Sequence, residues 1–251
     1  MTQSTGHRHQ ASPIRDADDF AAAFNVSPET LDRLATYEQL LCHWQKTINL
    51  VAPSTLDAIW HRHFADSAQL LALAPTATTW VDLGSGAGFP GLVVAILLAN
   101  GVRPYARDLA LATDRVEGSD PTAPRVTLID SNARKCAFLR EVVRQTGISA
   151  RVPVDILSTR IEKAATQARL QGPNVVTARA LAPLDRLVGL AAKLSSPRTV
   201  GLFLKGREVA AELRAAEKMW NFNAELVPSR TEPDASVVVI RNLHPKAKTK
   251  E

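Results

Sequence analysis

The 251-residue chain is poor in cysteine: Cys42 and Cys136 are far apart and stand in neither a metal-ligand nor a CxxC spacing. A disulfide framework and a structural zinc site are thereby excluded, no metal is expected, and a reducing cytoplasm is the expected compartment. Long apolar runs are missing too. The longest, residues 92–99, is far short of the roughly 20 residues that span a bilayer, and the opening MTQSTGHRHQ has no apolar stretch. The chain is therefore expected to be neither exported nor embedded. Its 15 prolines and 12 glycines follow no period, which excludes a collagen-like or low-complexity chain. Aromatics are only 5%, yet 45% hydrophobic and 22% charged residues make an ordinary globular balance, neither disordered nor fibrous. Charge of one sign is only mildly in excess: 30 Lys and Arg against 25 Asp and Glu give +5, a modest lean toward a polyanionic partner. At this length one main domain plus an appendage can bury a sizeable core.

What is present divides along the chain. Residues 1–20 are polar and aperiodic and read as a mobile tail, and residues 21–75 as a helical extension. Ser27 and Pro28 supply an N-cap and a first helical residue. Leu31, Leu34, Tyr37, Leu41, Trp44 and Ile48 then recur at helical intervals. A second helical stretch is expected over 56–73. From residue 76 to 243, short apolar runs alternate with helical patterns, the signature of an α/β fold with a mainly parallel sheet. Seven strands are expected, at 80–83, 126–130, 152–156, 175–178, 200–204, 224–227 and 237–241. Helices are centred on 92–100, 133–145, 161–170, 184–194 and 208–220, and the short link 228–236 suggests that the last two strands pair antiparallel. Residues 103–125 read as an inserted loop, and 244–251 as a basic tail.

The sharpest motif is residues 80–91, WVDLGSGAGFPG, a strand running into a glycine-rich turn and then a helix begun by Pro90. Glycines permit positive φ and close ligand approach, and free helix N–H groups face whatever binds there. In an open α/β sheet this turn lies at the carboxyl end of the first strand, where ligands bind. Residues 86–91 match GxGxxG literally, but that pattern alone is weak, and a tight connection without a ligand is the bland alternative. No Lys follows the glycines, so a P-loop is excluded. Asp82, two residues before Gly84, suits a cationic ligand such as S-adenosylmethionine better than a pyrophosphate. Gly86 belongs to the same turn. Asp130, ending the next strand, is placed to accept ribose hydroxyls, although either carboxylate alone could equally cap a helix or face solvent.

Several further motifs stand in one order: Trp44, Lys46, Asn49 and Leu50 as WxKxxNL, residues 62–67 as RHFADS, 82–91 as DxGxGxGxPG, 130–139 as DSNARKCAFL, 160–162 as RIE, 178–180 as ARA and 204–206 as LKG. Together they resemble the ribosomal small-subunit methyltransferase G family, also called glucose-inhibited division protein B, over about residues 28–242. The resemblance implies a class I S-adenosylmethionine-dependent methyltransferase fold, Rossmann-like, with a helical N-terminal extension. It implies methylation of N7 of one guanine in 16S ribosomal RNA of the small subunit, with S-adenosylmethionine as cofactor. The family's cofactor contacts would fall on Gly84, Phe89, Ile161, Glu162 and Arg179, and Asp130 matches its ribose-side acid. The insertion 103–125 departs from the family's compact pattern.

Phe89 and Ile161 are candidates for apolar contact with the adenine, and Glu162, expected as a buried-edge acid, for its amino group. Arg179 beside a cationic cofactor needs a carboxylate or phosphate to face. Arg62, His63, Arg134, Lys135, Arg140, Arg144, Lys205 and Arg207 are candidate RNA contacts, though any one of them could equally be a solvated charge. His63 could instead be buried, and Trp44 is expected in the helix–core contact rather than stacked on a base. Guanine N7 has a free lone pair, so no catalytic acid or base is assigned. A dinucleotide-dependent oxidoreductase, a non-catalytic ribosome-binding factor and a small-molecule methyltransferase are the rival readings. A monomer is expected.

Overall fold

The computed structural model describes residues 13–101 and 124–246. The expected insertion at 103–125 falls almost wholly outside the described residues, as do 1–12 of the tail.

Among the described residues the seven strands are β1 (Thr79–Leu83), β2 (Arg125–Asp130), β3 (Val154–Ser158), β4 (Val175–Arg179), β5 (Val200–Lys205), β6 (Trp220–Pro228) and β7 (Ser236–Pro245). They form one sheet in the order β3-β2-β1-β4-β5-β7-β6. The first five strands are parallel, while β7 enters antiparallel between β5 and β6. Chain connections leave in opposite directions from β1 and β4, so a crevice opens at their carboxyl ends.

Helices cover both faces. On one side lie α1 (Ala17–Phe24), α2 (Pro28–Gln45), α3 (Asp66–Ala68), α4 (Leu70–Leu73), α5 (Gly91–Ala99) and α6 (Ala133–Thr146), which share a core with that face of the sheet. On the other lie α7 (Ile161–Ala164), α8 (Leu184–Ala192) and α9 (Val209–Glu217) with a second core. All nine residues of α5 are buried, because the N-terminal helices roof it on the side away from the sheet. The stripe read on α2 works as expected: Leu34, Tyr37 and Leu41 are buried, and Trp44 meets Phe138 of α6 at 5.8 Å. Ser27 caps α2 by accepting from Thr30 N–H.

Several boundaries differ from expectation. The tail ends earlier than residue 20: Asp16 caps α1, and Phe20 is buried against Trp60, ring centroids 5.6 Å apart. The stretch 56–73 is a 3₁₀ turn (Pro53–Ala58), a π-helical turn (Trp60–Ala65), α3 and α4 rather than one helix. The expected helix 161–170 shortens to α7 and a 3₁₀ turn. That at 208–220 stops at Glu217, because Trp220 joins β6 and packs across Gly189 of α8. The C-terminal tail begins later than 244, since His244 and Pro245 pair with Asn221 and Trp220. The hairpin reading of β6 and β7 holds, with β7 as the inner strand.

Candidate cofactor crevice and its neighbour cavity

The turn after β1 is assembled by polar contacts beneath and beside it. Asp82 is buried, and its carboxylate accepts from Thr177 Oγ1 (2.9 Å) and Gly91 N–H (3.3 Å). Burial raises its pKa to about 6 against the opposing pull of those hydrogen bonds. Asp82 therefore shapes the turn from below and does not line the crevice, which corrects the expectation that it faces the ligand. Ser85 bridges to β2, its N–H donating to Ile129 O and its Oγ accepting from Ile129 N–H. Asp130 accepts Gly86 N–H at 2.9 Å on one oxygen and Asn132 N–H at 2.7 Å on the other.

Glycine is required at two positions here. Gly84 has φ +64°, and a Cβ there would lie 2.4 Å from Leu181 Cδ1. Gly88 has φ +98°, and a Cβ would meet Tyr37 Oη at 2.6 Å and Leu92 Cδ1 at 2.7 Å. A side chain at either position would strain the backbone, and at Gly88 it would also press on packed neighbours.

A crevice of about 260 Å³ opens beside this turn. Gly84, Asp130, Ile161 and Glu162 all line it, as the sequence suggested, together with Ile129 and Leu190. Glu162 is exposed rather than buried, a correction that follows from its place on the outer side of the first turn of α7. Gly86 sits above, its amide tied to Asp130, with Lys135 Nζ 4.0 Å from the position of a hypothetical Cβ.

Phe89 and Arg179 go elsewhere. Phe89 is buried and stacked between Tyr37 (5.3 Å, 18°) and His63 (4.7 Å, 15°), so its ring is part of the roof and does not line the crevice. Arg179 lies with its guanidinium 4.9 Å from the Phe89 ring centre and lines the second cavity. The carboxylate it faces is Asp66 (3.3 Å), and it also donates to Arg62 O (2.8 Å) and His63 Nδ1 (2.6 Å). A guanidinium only donates, so Nδ1 accepts and Nε2–H donates to Thr55 Oγ1 at 2.9 Å. Burial, then the Arg179 and Arg62 charges, push the His63 pKa down to about 3. His63 is therefore neutral and buried, and is withdrawn from the candidate phosphate contacts.

The other candidate cations separate into two groups. Lys205 is nearly buried in an ion pair with Glu212 at 2.7 Å, Arg62 pairs with Glu232, Arg207 with Asp234, and Arg144 with Glu141. Arg134 and Arg140 are exposed and Lys135 half-buried, and among the described residues none of the three has a carboxylate partner. Asn132 fixes the start of α6 by accepting from the Arg134 and Lys135 amides.

Sequence reasoning missed Leu181 and Ala182, which line both cavities, and Glu212, which braces them. Ala180, at φ +51°, turns the chain into that segment. Leu181, Ala182 and Glu212 carry no local signal, because each acts through partners distant in sequence.

Among the described residues no cluster of His, Cys, Asp and Glu has the makings of a metal site, and no helix is long and apolar enough to cross a membrane. The model of the family described as rRNA small subunit methyltransferase G matches residues 30–102 and 117–238, its gap falling inside the expected insertion. The ribosomal RNA small subunit methyltransferase G of Parvibaculum lavamentivorans is 48% identical over 232 residues, 92% of this chain and 91% of that protein. That of Rhodospirillum centenum is also 48% identical, covering 94% of each. Among solved structures, an O-methyltransferase from Bacillus cereus in complex with SAH has a TM-score of 0.51 at 14% identity, covering 90% of this chain and 99% of its own. A methyltransferase from Geobacter sulfurreducens has a TM-score of 0.50 at 15% identity, covering 92% and 98%. These two share the class I methyltransferase fold. With the family model matching most of its length, the chain belongs to the rRNA small subunit methyltransferase G family.

Proposed function

We propose that this chain transfers a methyl group from S-adenosylmethionine to N7 of one guanine in the 16S ribosomal RNA of the small ribosomal subunit, acting as a monomer. The observation that carries this reading is the pairing of two cavities. A small crevice at the carboxyl ends of the parallel strands adjoins a larger one, and Leu181 and Ala182 line both.

The crevice fits the cofactor chemically. Ile129, Ile161 and Leu190 give apolar walls for a purine, and each Asp130 oxygen holds one N–H, leaving lone pairs for ribose hydroxyls. Glu162 stands at the rim as an acceptor for an amino group. When bound, S-adenosylmethionine supplies an electrophilic methyl group on a sulfonium.

Guanine N7 carries an in-plane lone pair at neutral pH, so no proton has to leave before transfer. The work left to the protein is alignment and exclusion of water. His63 agrees with this: neutral, with both nitrogens engaged, it holds Arg179 in place instead of taking up a proton. Arg134, Lys135 and Arg140 supply phosphate neutralisation beside the crevice.

The test is to map methyl groups on 16S RNA from cells lacking this protein, with and without its return. One N7-methylguanine that disappears and is restored is the expected result. An unchanged methylation map would overturn the reading and favour a ribosome-binding factor that keeps only the fold.

A further inference from the structure

The larger cavity, of about 720 Å³, has a wall with a defined hydrogen-bonding polarity. The partition it shares with the crevice is pinned from one side by Lys205 and Glu212. Lys205 Nζ donates to Ala182 O at 2.6 Å, Glu212 Oε2 accepts from Leu184 N–H at 2.7 Å, and the two side chains meet at 2.7 Å. They are 10% and 25% exposed, so the pair is held in one orientation on β5 and α9.

These bonds leave two valences over. An ammonium has three N–H groups, and Ala182 O and Glu212 Oε2 take two of them. Both hydrogen bonds to Glu212 go to Oε2, and among the described residues Oε1 accepts none. The other carboxylates lining the cavity differ. Asp66 has both oxygens engaged, by Thr231 and Gln69 on one side and Arg179 on the other, and Glu232 is tied to Arg62 at a more exposed rim. The Lys205–Glu212 pair therefore offers one donor next to one acceptor.

Guanine presents the complement, the acceptor O6 beside the donor N1–H, whereas adenine presents a donor at position 6 and an acceptor at N1. A base read along this edge keeps its N7 lone pair free. We propose that Lys205 Nζ and Glu212 Oε1 read O6 and N1–H of the target guanine, and so select it over adenine as the base that is methylated. The inference rests on the function proposed above, and it assigns the cavity a purine whose 6 and 1 positions are an acceptor and a donor.

The experiment compares two small-subunit RNAs that differ only at the target: guanosine, or the riboside of 2-aminopurine, which keeps N7 and the 2-amino group but lacks O6 and N1–H. The kcat/KM for methyl transfer is measured for each with wild-type protein and Glu212→Gln. In the variant the amide oxygen stays with its two donors, Lys205 and Leu184 N–H, so an NH2 group replaces Oε1 and opposes N1–H. Wild-type protein is expected to favour guanosine by about tenfold or more. In Glu212→Gln that preference is expected to fall by about tenfold. A purely structural role for Glu212 slows both RNAs alike and leaves the ratio unchanged, which would overturn the inference. Should Glu212→Gln fail to fold, Glu212→Asp, which draws the carboxylate back by one methylene, must narrow the same ratio or the inference fails. Wild-type protein that methylates guanosine without discriminating against 2-aminopurine sinks this inference alone. Wild-type protein that methylates no small-subunit RNA sinks the proposed function and this inference with it.

Discussion

Tyr37 belongs at once to the apolar stripe of α2 and to the glycine turn. Its ring is fully buried against Phe89 and Phe64, and its hydroxyl donates to Ala87 O inside the turn. Burial pushes the phenol well above its usual pKa, so it stays protonated and remains a donor. Tyr37→Phe keeps the ring and deletes the bond. One neutral hydrogen bond contributes about 1 kcal/mol net, so stability in urea denaturation should fall by about that much while the protein still folds. Asp82 and His63 make a second residue-scale prediction, because their pKa shifts have opposite signs. Asp82, raised to about 6, binds its proton more tightly folded than unfolded, so its contribution to stability falls as pH rises from about 4 to 6. His63, lowered to about 3, binds its proton less tightly folded, so its contribution is lost as pH falls from about 6.5 toward 3. Between about pH 4 and 6 the two slopes oppose each other. Asp82→Asn removes one of them, and urea denaturation should then show stability rising with pH in that window by up to about 1.4 kcal/mol per unit more steeply than in wild type. Equal slopes in the two proteins would contradict the assignment.

At the scale of elements, legibility followed the range of the interactions. The parallel strands and α2, α5 and α6 were readable because hydrophobic patterning and capping are local: Ser27 before Pro28 starts α2 as its side chain implies. Ends were less readable where tertiary contacts decide. Trp220 would extend α9 by pattern, yet its ring packs across Gly189 and its backbone pairs with Pro245. The stretch around Trp60–Ala65 winds as a π-helix where its side chains serve different partners: Trp60 reaches Glu38, His61 reaches Thr231 O and His63 reaches Thr55. The site divides in the same way. Gly84, Asp130, Ile161 and Glu162 were legible because strand ends converge in this fold, whereas the Arg179–Asp66–His63 knot joins elements far apart in sequence, and the Lys205–Glu212 pair, local in itself, acts through Ala182 and Leu184 more than twenty residues earlier. Gly88→Ala tests how firmly α2 is fitted to the turn. At φ +98° any side chain is strained, and the new methyl group would press on Tyr37 and Leu92. A loss of about 2 kcal/mol or more in chemical denaturation is expected. Gly101→Ala is the control: φ is also positive there but no neighbour among the described residues lies within 4 Å, so only the backbone cost of about 1 kcal/mol is expected.

For the whole molecule, the +5 net charge matters less than where its unpaired part sits. Lys205, Arg62, Arg207 and Arg144 each face an acid and add little to the outer field. Arg134, Lys135 and Arg140 have no such partner among the described residues, and all three lie on α6, whose N-terminus follows the Asp130 that lines the crevice. A polyanion drawn to this helix is brought to the edge of the sheet where the crevice opens. Each cation that neutralises a phosphate releases counterions, so log Kd for RNA should vary linearly with log salt concentration. Replacing Arg134, Lys135 and Arg140 together by Gln should reduce that slope by up to about 3, roughly 1 for each phosphate that is no longer neutralised. Arg207→Gln, which removes a cation already paired with Asp234, should leave the slope nearly unchanged. Filter-binding titrations from low to moderate salt would measure both, and a triple variant with the wild-type slope would move the RNA path away from α6. Because phosphate neutralisation carries no sequence information, weaker RNA binding in the triple variant should leave the guanine-to-2-aminopurine ratio as it is in the wild type, so that attraction and base choice separate onto different faces of one protein.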